Sequence, residues 1–297
     1  MTVATSDTEL EAVRRRGFGV AYRMLGSVSE AEDVAQEALI RLTQADEPPD
    51  EPAAWITTVA TRLSIDVLRS ARKRREAYVG PWLPEPLIED RDPGPASQVE
   101  LADSLSQAFL VLLERLSPVE RAAFILREVF DYDYARIAEI VDRSEENCRQ
   151  IVTRARKHIE ASRPRFDPDE ALRDELLQRF IAAAHDGDVE GLEELLHDDV
   201  AFYSDGGGKI SAARKPLFGR SRVARVMAKL ATKSNRWGPF DTSLVRVNGQ
   251  PGRVMRLADG TLWDVLTVDV VDGKVQTIRI IRNPDKLQHV GGAQRDR

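Results

Sequence analysis

A single cysteine, Cys148, stands in 297 residues, so the chain can form no internal disulfide and no multi-cysteine zinc site, a usage that suits a reducing cytoplasm. No apolar run approaches the roughly 18 to 20 residues of a membrane span. The opening "MTVATSDTEL" also lacks the basic-then-apolar pattern of a secretory signal. The expectation is a cytoplasmic protein without membrane contact, metal or cofactor. Net charge is −6, which taken alone argues against a nucleic-acid partner. The distribution reverses that argument. Arg62, Arg69, Arg72, Lys73, Arg74 and Arg75 crowd around one acid, Asp66, and a second cluster holds Arg149, Arg154, Arg156, Lys157, Arg163 and Arg165. Either stripe could lie on a phosphate backbone. Acids gather instead at Glu30 to Glu37, Asp46 to Glu51 and Glu85 to Asp92.

What is present is helical periodicity over the first half and strand periodicity over the last third. In "SEAEDVAQEALIRL", Ala31, Val34, Ala35, Ala38 and Leu42 recur at three- and four-residue steps, while Asp33, Gln36, Glu37 and Ile40 line another face. Ser29 reads as the N-cap. After the proline-rich "QADEPPDEP", a second long helix spans about 53–75, with Ile56, Val59, Leu63 and Val67 toward a core. Trp55, Thr58, Arg62, Asp66 and Arg69 fall along the neighbouring stripe, where Trp55 reads equally well as core.

The segment "GPWLPEPLIEDRDPGPAS" has five prolines and reads as an extended linker, yet its Trp82 and Leu83 suit docking better than spacing. Helical pattern resumes from Leu101 to about Ser162. Within it, "YARIAEIVDRSEENCRQIVTRARKHI" has a helix-turn-helix layout: Ile137, Ala138 and Val141 as the apolar side of the first helix, Asp142-Arg143 as the turn, and Ser144 as cap of the second. Cys148, Ile151, Val152, Ala155 and Ile159 form the core side of that second helix. Its free side offers Arg149, Gln150, Thr153, Arg154 and Lys157, groups able to reach base edges and phosphates in a major groove. "SRPRFDPDEA" reads as a second hinge. Beyond it come two helices, at about 172–186 and 189–196, and then strands punctuated by Asn248-Gly249, Asp259-Gly260 and Asp272-Gly273, which predict an α+β domain with an antiparallel sheet.

"SDGGGKIS" raises the question of a phosphate-binding loop. Such a loop needs Ser or Thr directly after Gly-Lys, at the start of a helix. Here Ile210 follows Lys209 and the preceding "VAFYS" reads as a strand. Gly206, Gly207 and Gly208 therefore read as a tight turn that lets another segment come close, with Asp205 and Lys209 marking its ends.

Three ordered blocks, "YRMLGSVSEAEDVAQEALIRL", "AWITTVATRLSIDVLRSARKRRE" and "LSPVERAAFILREVFDYDYARIAEIVDRSEENCRQIVTRARKHI", resemble regions two and four of bacterial extracytoplasmic-function sigma factors. "GPWLPEP", "SDGGGK" and "RNPDKL" are similar to the subgroup with a fused C-terminal SnoaL-like domain of the NTF2-like fold, a bent sheet wrapped by helices into a cone. The resemblance implies four segments: region two at 1–77, a linker at 78–100, region four at 101–163 and the SnoaL-like domain at 164–297. It implies that Asp33, Gln36 and Glu37 grip core RNA polymerase, and that Trp55, Thr58, Arg62, Arg69 and Arg72 read the minus-ten promoter element. Arg149, Gln150, Thr153, Arg154 and Lys157 would read the minus-thirty-five element. "QADEPPDEP" departs from the family in lacking aromatic and basic residues. The resemblance further implies that the fused domain replaces a separate anti-sigma factor. Trp82, Leu83, Pro84, Glu85 and Pro86 would dock on Asp205 to Lys209 and on Asn283, Pro284, Asp285 and Lys286.

Some NTF2-like relatives are enzymes, and Tyr203, Asp205, His185, Trp263 and Asp264 are the residues here that could hold an acid/base pair. The reading adopted assigns no catalysis. Its rival is a DNA-binding regulator acting without polymerase, whose last domain senses a small molecule or is a vestigial enzyme.

Overall fold

The computed structural model describes residues 7–89, 105–160, 169–234 and 239–292. The chain divides into two compact units, one of residues 1–76 with 109–163, the other of 77–108 with 164–297. The described part of the expected linker thus belongs with the C-terminal domain.

The first unit is all helical. Helices α1 (Asp7–Leu25), α2 (Val28–Thr43) and α3 (Pro52–Glu76) pack around buried Val20, Met24, Ala31, Ala35 and Ile56. Ser27, not Ser29, caps α2, accepting from the Glu30 amide at 3.2 Å; the cap moves back because Val28 already lies within the helix and is buried. The core face of α3 also differs from expectation. Its buried residues are Ile56, Thr57, Ala60, Thr61, Ser64, Ile65, Leu68 and Ala71, whereas Val59, Leu63 and Val67 are only half buried. Small side chains let the helices approach closely. The hydroxyls of Thr61 and Ser64 donate to carbonyls one turn back, each at 2.7 Å, so they are buried without an orphaned group.

Among the described residues, the expected helical region holds four helices: α4 (Gln107–Leu113), α5 (Pro118–Glu128), α6 (Tyr134–Val141) and α7 (Glu145–Glu160). Residues 101–104 lie outside the described ones. Ser117 and Glu120 form a reciprocal capping box on α5. Asp133 caps α6, and Asp142, in the left-handed conformation at φ 55°, ends it; Ser144 then caps the next helix by accepting from the Asn147 amide at 3.2 Å. Buried Ile137, Ile140 and Val141 of α6 meet buried Cys148, Ile151, Val152, Ala155 and Ile159 of α7.

The second unit is α+β. Helices α8 (Glu170–Asp186), α9 (Val189–Leu195) and α10 (Arg220–Ser234) pack on a seven-stranded sheet ordered β1-β4-β5-β6-β7-β2-β3. The strands are β1 (Ile88–Glu89), β2 (Leu196–Asp205), β3 (Leu217–Phe218), β4 (Phe240–Val247), β5 (Gln250–Leu257), β6 (Leu262–Val271) and β7 (Lys274–Ile281). A short 3-10 turn, Pro284–Lys286, follows β7, and helix α11 spans Gln288–Gly292. The expected antiparallel sheet needs two corrections. Strands β2 and β7 run parallel, a long-range pairing that no turn signal specifies. Helix α10 is additional, although Val223, Ala224, Met227 and Ala228 supply its buried stripe.

Alternation separates the two faces of the sheet. Phe202, Leu266, Val268, Ile278 and Ile280 share a buried cluster with helix residues Leu176, Phe180, Val223 and Met227. Residues of the other parity, Asp205, Asp269 and Arg279 among them, are buried too, and Arg279 pairs with Asp269 at 2.7 Å.

Cys148 is fully buried, and removal from water pushes its thiol above the ordinary range. In native buffer it should react with a disulfide reagent such as DTNB at least about tenfold more slowly than in denaturant. Equal rates would show the thiol to be open.

Candidate functional site

The glycine-rich turn and the linker meet at one carboxylate. Asp205, at the end of β2, is fully buried. Its Oδ1 accepts from the Tyr78 hydroxyl at 2.5 Å and the Gly207 amide at 3.0 Å, and its Oδ2 accepts from the Leu83 amide at 2.9 Å and Lys286 Nζ at 2.8 Å. Lys286 is itself buried, donates to the Leu83 carbonyl, and lies 4.0 Å from the Trp82 ring centroid and 4.8 Å from that of Tyr78. Burial is the first cause holding the Tyr78 phenol far above its usual range, and the Asp205 carboxylate adds to it. Asn283 Nδ2 donates to the Tyr78 oxygen at 2.9 Å.

The glycines have separate reasons. A Cβ on Gly206 would lie 2.2 Å from the Ile210 carbonyl oxygen, and one on Gly207, at φ 60°, would lie 2.4 Å from the Asn283 side chain. Gly208, at φ 72°, faces Val79. Lys209 pairs with Asp285 at 2.7 Å, and Pro284 opens the 3-10 turn that carries Asp285 and Lys286. Leu83, Pro84, Glu85 and Pro86 are buried and Trp82 is half buried.

A second anchor was not read from the sequence. The hairpin residue Asn248 accepts at Oδ1 from the Leu87 amide at 3.1 Å and Gln107 Nε2 at 3.0 Å, and donates to the Leu105 carbonyl at 2.9 Å. Leu87 accepts from the Asn248 amide at 2.8 Å, next to the pairing of Ile88 with Val247. His289 adds a 2.7 Å contact to the Pro86 carbonyl. Only Asn248 carried any signal, as a turn residue.

In the helical unit, Asp33, Gln36 and Glu37 are exposed on α2 beside Ile40, an exposed apolar residue at 41%. Glu37 pairs with Arg41 at 2.8 Å. On α3, Trp55 packs half buried against Val13, Ala38 and Ile56, and Thr58 donates to the Ala54 carbonyl at 3.0 Å. Arg62 donates to the carbonyls of Glu139, at 2.9 Å, and Ile140, at 3.2 Å, at the end of α6, where carbonyls lack intrahelical partners. Arg69 is exposed with Asp66 at 3.4 Å; the side chain of Arg72 lies outside the described ones. Arg149, Gln150, Thr153, Arg154 and Lys157 are all exposed on α7. Arg149 pairs with Glu145 at 2.8 Å and lies over the Tyr134 ring at 5.2 Å.

The C-terminal domain also encloses a cavity of about 1160 Å3. His185, Trp263 and Asp264 line it, whereas Tyr203 and Asp205 do not, being of opposite parity to Phe202 and Ser204. Asp264 is ion-paired to Arg253.

An acid-faced helix, a long basic helix and a helix-turn-helix, in that order, define a sigma-type promoter-recognition subunit. Residues 10–74 match the family described as Sigma-70 region 2, and residues 106–159 match Sigma-70, region 4. The ECF RNA polymerase sigma factor SigJ of Mycobacterium tuberculosis is 39% identical over 292 residues, covering 94% of this chain and 92% of its own. The probable ECF RNA polymerase sigma factor SigI of the same species is 33% identical, covering 90% of each. The crystal structure of the Mycobacterium tuberculosis extracytoplasmic function sigma factor SigJ superposes with a TM-score of 0.77 at 33% identity, covering 97% of this chain and 99% of that one. The chain belongs to the extracytoplasmic-function RNA polymerase sigma factors, and the match to the SigJ structure takes in the α+β domain as well as the helical unit.

Removing one partner of the buried pair leaves the other charge unpaired, so Asp205→Ala should destabilise the protein by about 3–5 kcal/mol. Lys209→Ala, which removes an exposed pair, should cost about 0–1 kcal/mol. Urea denaturation of the two variants measures both, and equal losses would contradict the assignment.

Proposed function

We propose that this chain binds core RNA polymerase and directs promoter-specific transcription initiation, and that its C-terminal domain regulates this activity from within the chain in place of a separate anti-sigma factor. The working segments are 1–77 for polymerase and the minus-ten element, 78–100 as the regulated linker, 101–163 for the minus-thirty-five element and 164–297 as regulator. Such a protein works in the cytoplasm, where the polymerase and promoter are, and does no covalent chemistry itself.

Exposed Asp33, Gln36 and Glu37 offer negative charge, with Ile40 as an apolar anchor, to a basic partner surface. Trp55, Thr58, Arg62, Arg69 and Arg72 would hold opened DNA by stacking and phosphate pairing. Arg62 must first exchange its two carbonyl partners on α6, so this surface engages DNA by giving up a contact inside the helical unit. Arg149, Gln150, Thr153 and Arg154 would reach base edges, and Lys157 a phosphate.

The observation that carries the regulatory reading is the seat of Tyr78 and Leu83 on Asp205. A linker so held restricts the chain between the two promoter-reading segments, and releasing it changes what they can reach.

Run-off transcription with core enzyme and full-length protein should give a promoter-specific product; absence of product with every core enzyme tried would favour a regulator acting without polymerase. Arg154→Ala should weaken promoter binding by about 1–3 kcal/mol and relax specificity at one position, whereas Lys157→Ala should weaken all sequences alike and lower the salt dependence. Binding titrations on matched and scrambled promoters separate the two. Trp82→Ala and Asp205→Ala should each change run-off yield while helical content stays the same. Unchanged yield in both would leave the linker a spacer.

A further inference from the structure

The cavity lies on the face of the sheet opposite the linker anchor. Phe180 of α8, Met227 and Leu230 of α10, and Phe202, Met255 and Leu266 of the strands give it an apolar lining. Its volume of about 1160 Å3 is at or beyond the upper end of ordinary small-molecule sites, which run to roughly 1,000 Å3.

The charged groups in it are not explained by packing. Arg253 pairs with Asp264, whose side chain is 5% exposed. The Arg282 guanidinium lies 4.6 Å from the Trp263 ring centroid and, among the described residues, donates once, to the Ser211 carbonyl at 3.1 Å. The Nε atoms of both arginines are buried and have no hydrogen-bond partner among the described residues. Two guanidinium groups face one carboxylate, since Lys209 is matched by Asp285 and the remaining titratable lining group is the His185 ring, which contacts Asp186. Burial pushes the Arg282 pKa below the ordinary range, with the Asp264 charge opposing. The site therefore holds an under-neutralised cation at the edge of an apolar space, where an anion gains most from a planar pair of N–H donors.

We propose that this cavity binds an apolar carboxylic acid, its body against the aromatic and aliphatic lining and its single carboxylate on Arg282 and Arg253. One excess positive charge suits one negative charge. The residues Lys209 to Ala213 wall the cavity and also line a smaller hollow with Val79 and Gly80, so the occupant adjoins the turn on which the linker rests. The binding itself is independent of whether the linker regulates transcription.

Fluorescence titration of the full-length protein with 1-pyrenebutyrate and with its alcohol counterpart 1-pyrenebutanol tests the proposal. The acid should bind saturably, one per chain, and at least about tenfold tighter than the alcohol, the worth of one charge-assisted hydrogen bond. Arg282→Gln should reduce that preference to about nothing, with a melting curve recorded to show the variant folded. Leu230→Glu, at a position 37% exposed, should weaken the acid more than the alcohol. Failure of the acid to saturate wild-type protein, or equal affinity for acid and alcohol in wild type, overturns the proposal whatever the variants do. A preference that survives in folded Arg282→Gln protein overturns it as well.

Discussion

The C-terminal unit depends on a carboxylate that cannot be left alone. Asp205 is fully removed from water, and an isolated carboxylate there would be prohibitive. Four donors meet it, one of them a buried ammonium, and they come from three separate stretches of chain: Tyr78 and Leu83, Gly207, and Lys286. Satisfying this one group therefore brings the linker, the glycine turn and the turn after β7 together. The pair with Lys286 need not be a net source of stability, since both charges were desolvated to form it. Specificity for the linker comes from the other donors, because any other seating of the linker takes the Tyr78 hydroxyl and the Leu83 amide away from this carboxylate.

The rest of the unit follows from that constraint. Gly206 and Gly207 are required because a side chain on the first would strike the Ile210 carbonyl within the turn, and one on the second would strike Asn283, which donates to Tyr78. The rings of Trp82 and Tyr78 lie near the Lys286 ammonium, giving a charge buried beside them a π-face as well as a carboxylate. Asn248 closes the linker's other end through backbone partners at Leu87 and Leu105. The two faces of one sheet thus carry different tasks. One holds the linker, and the other, under α8 and α10, encloses the cavity.

Much of this was legible in the sequence where local pattern and physical need coincide. The helix-turn-helix showed itself through Asp142, Ser144 and the buried stripe from Cys148 to Ile159, all short-range signals. The glycine turn pointed to close approach, and the charges at its ends resolve into Asp205 with Lys286 and Lys209 with Asp285. The face of α3 was misread because its core stripe is partly hydroxylic: Thr57, Thr61 and Ser64 return their polarity to the helix backbone. Tyr78 and Gln107 gave no signal, since their partners lie 127 and 141 residues away. The parallel pairing of β2 with β7 was hidden for the same reason, and α10 was missed despite a plain apolar stripe. The engagement of Arg62 by α6 carbonyls is likewise a tertiary outcome that a basic stripe does not announce.

The central claim is that Asp205 holds the linker in place, and amide hydrogen exchange across 78–89 tests it most directly. The Leu83 amide, which donates to Asp205, should be strongly protected in the native protein. In an Asp205→Asn variant, protection at Leu83 and its neighbours should fall while that of α5 and α7 stays unchanged. Equal exchange at Leu83 in both proteins would contradict the account.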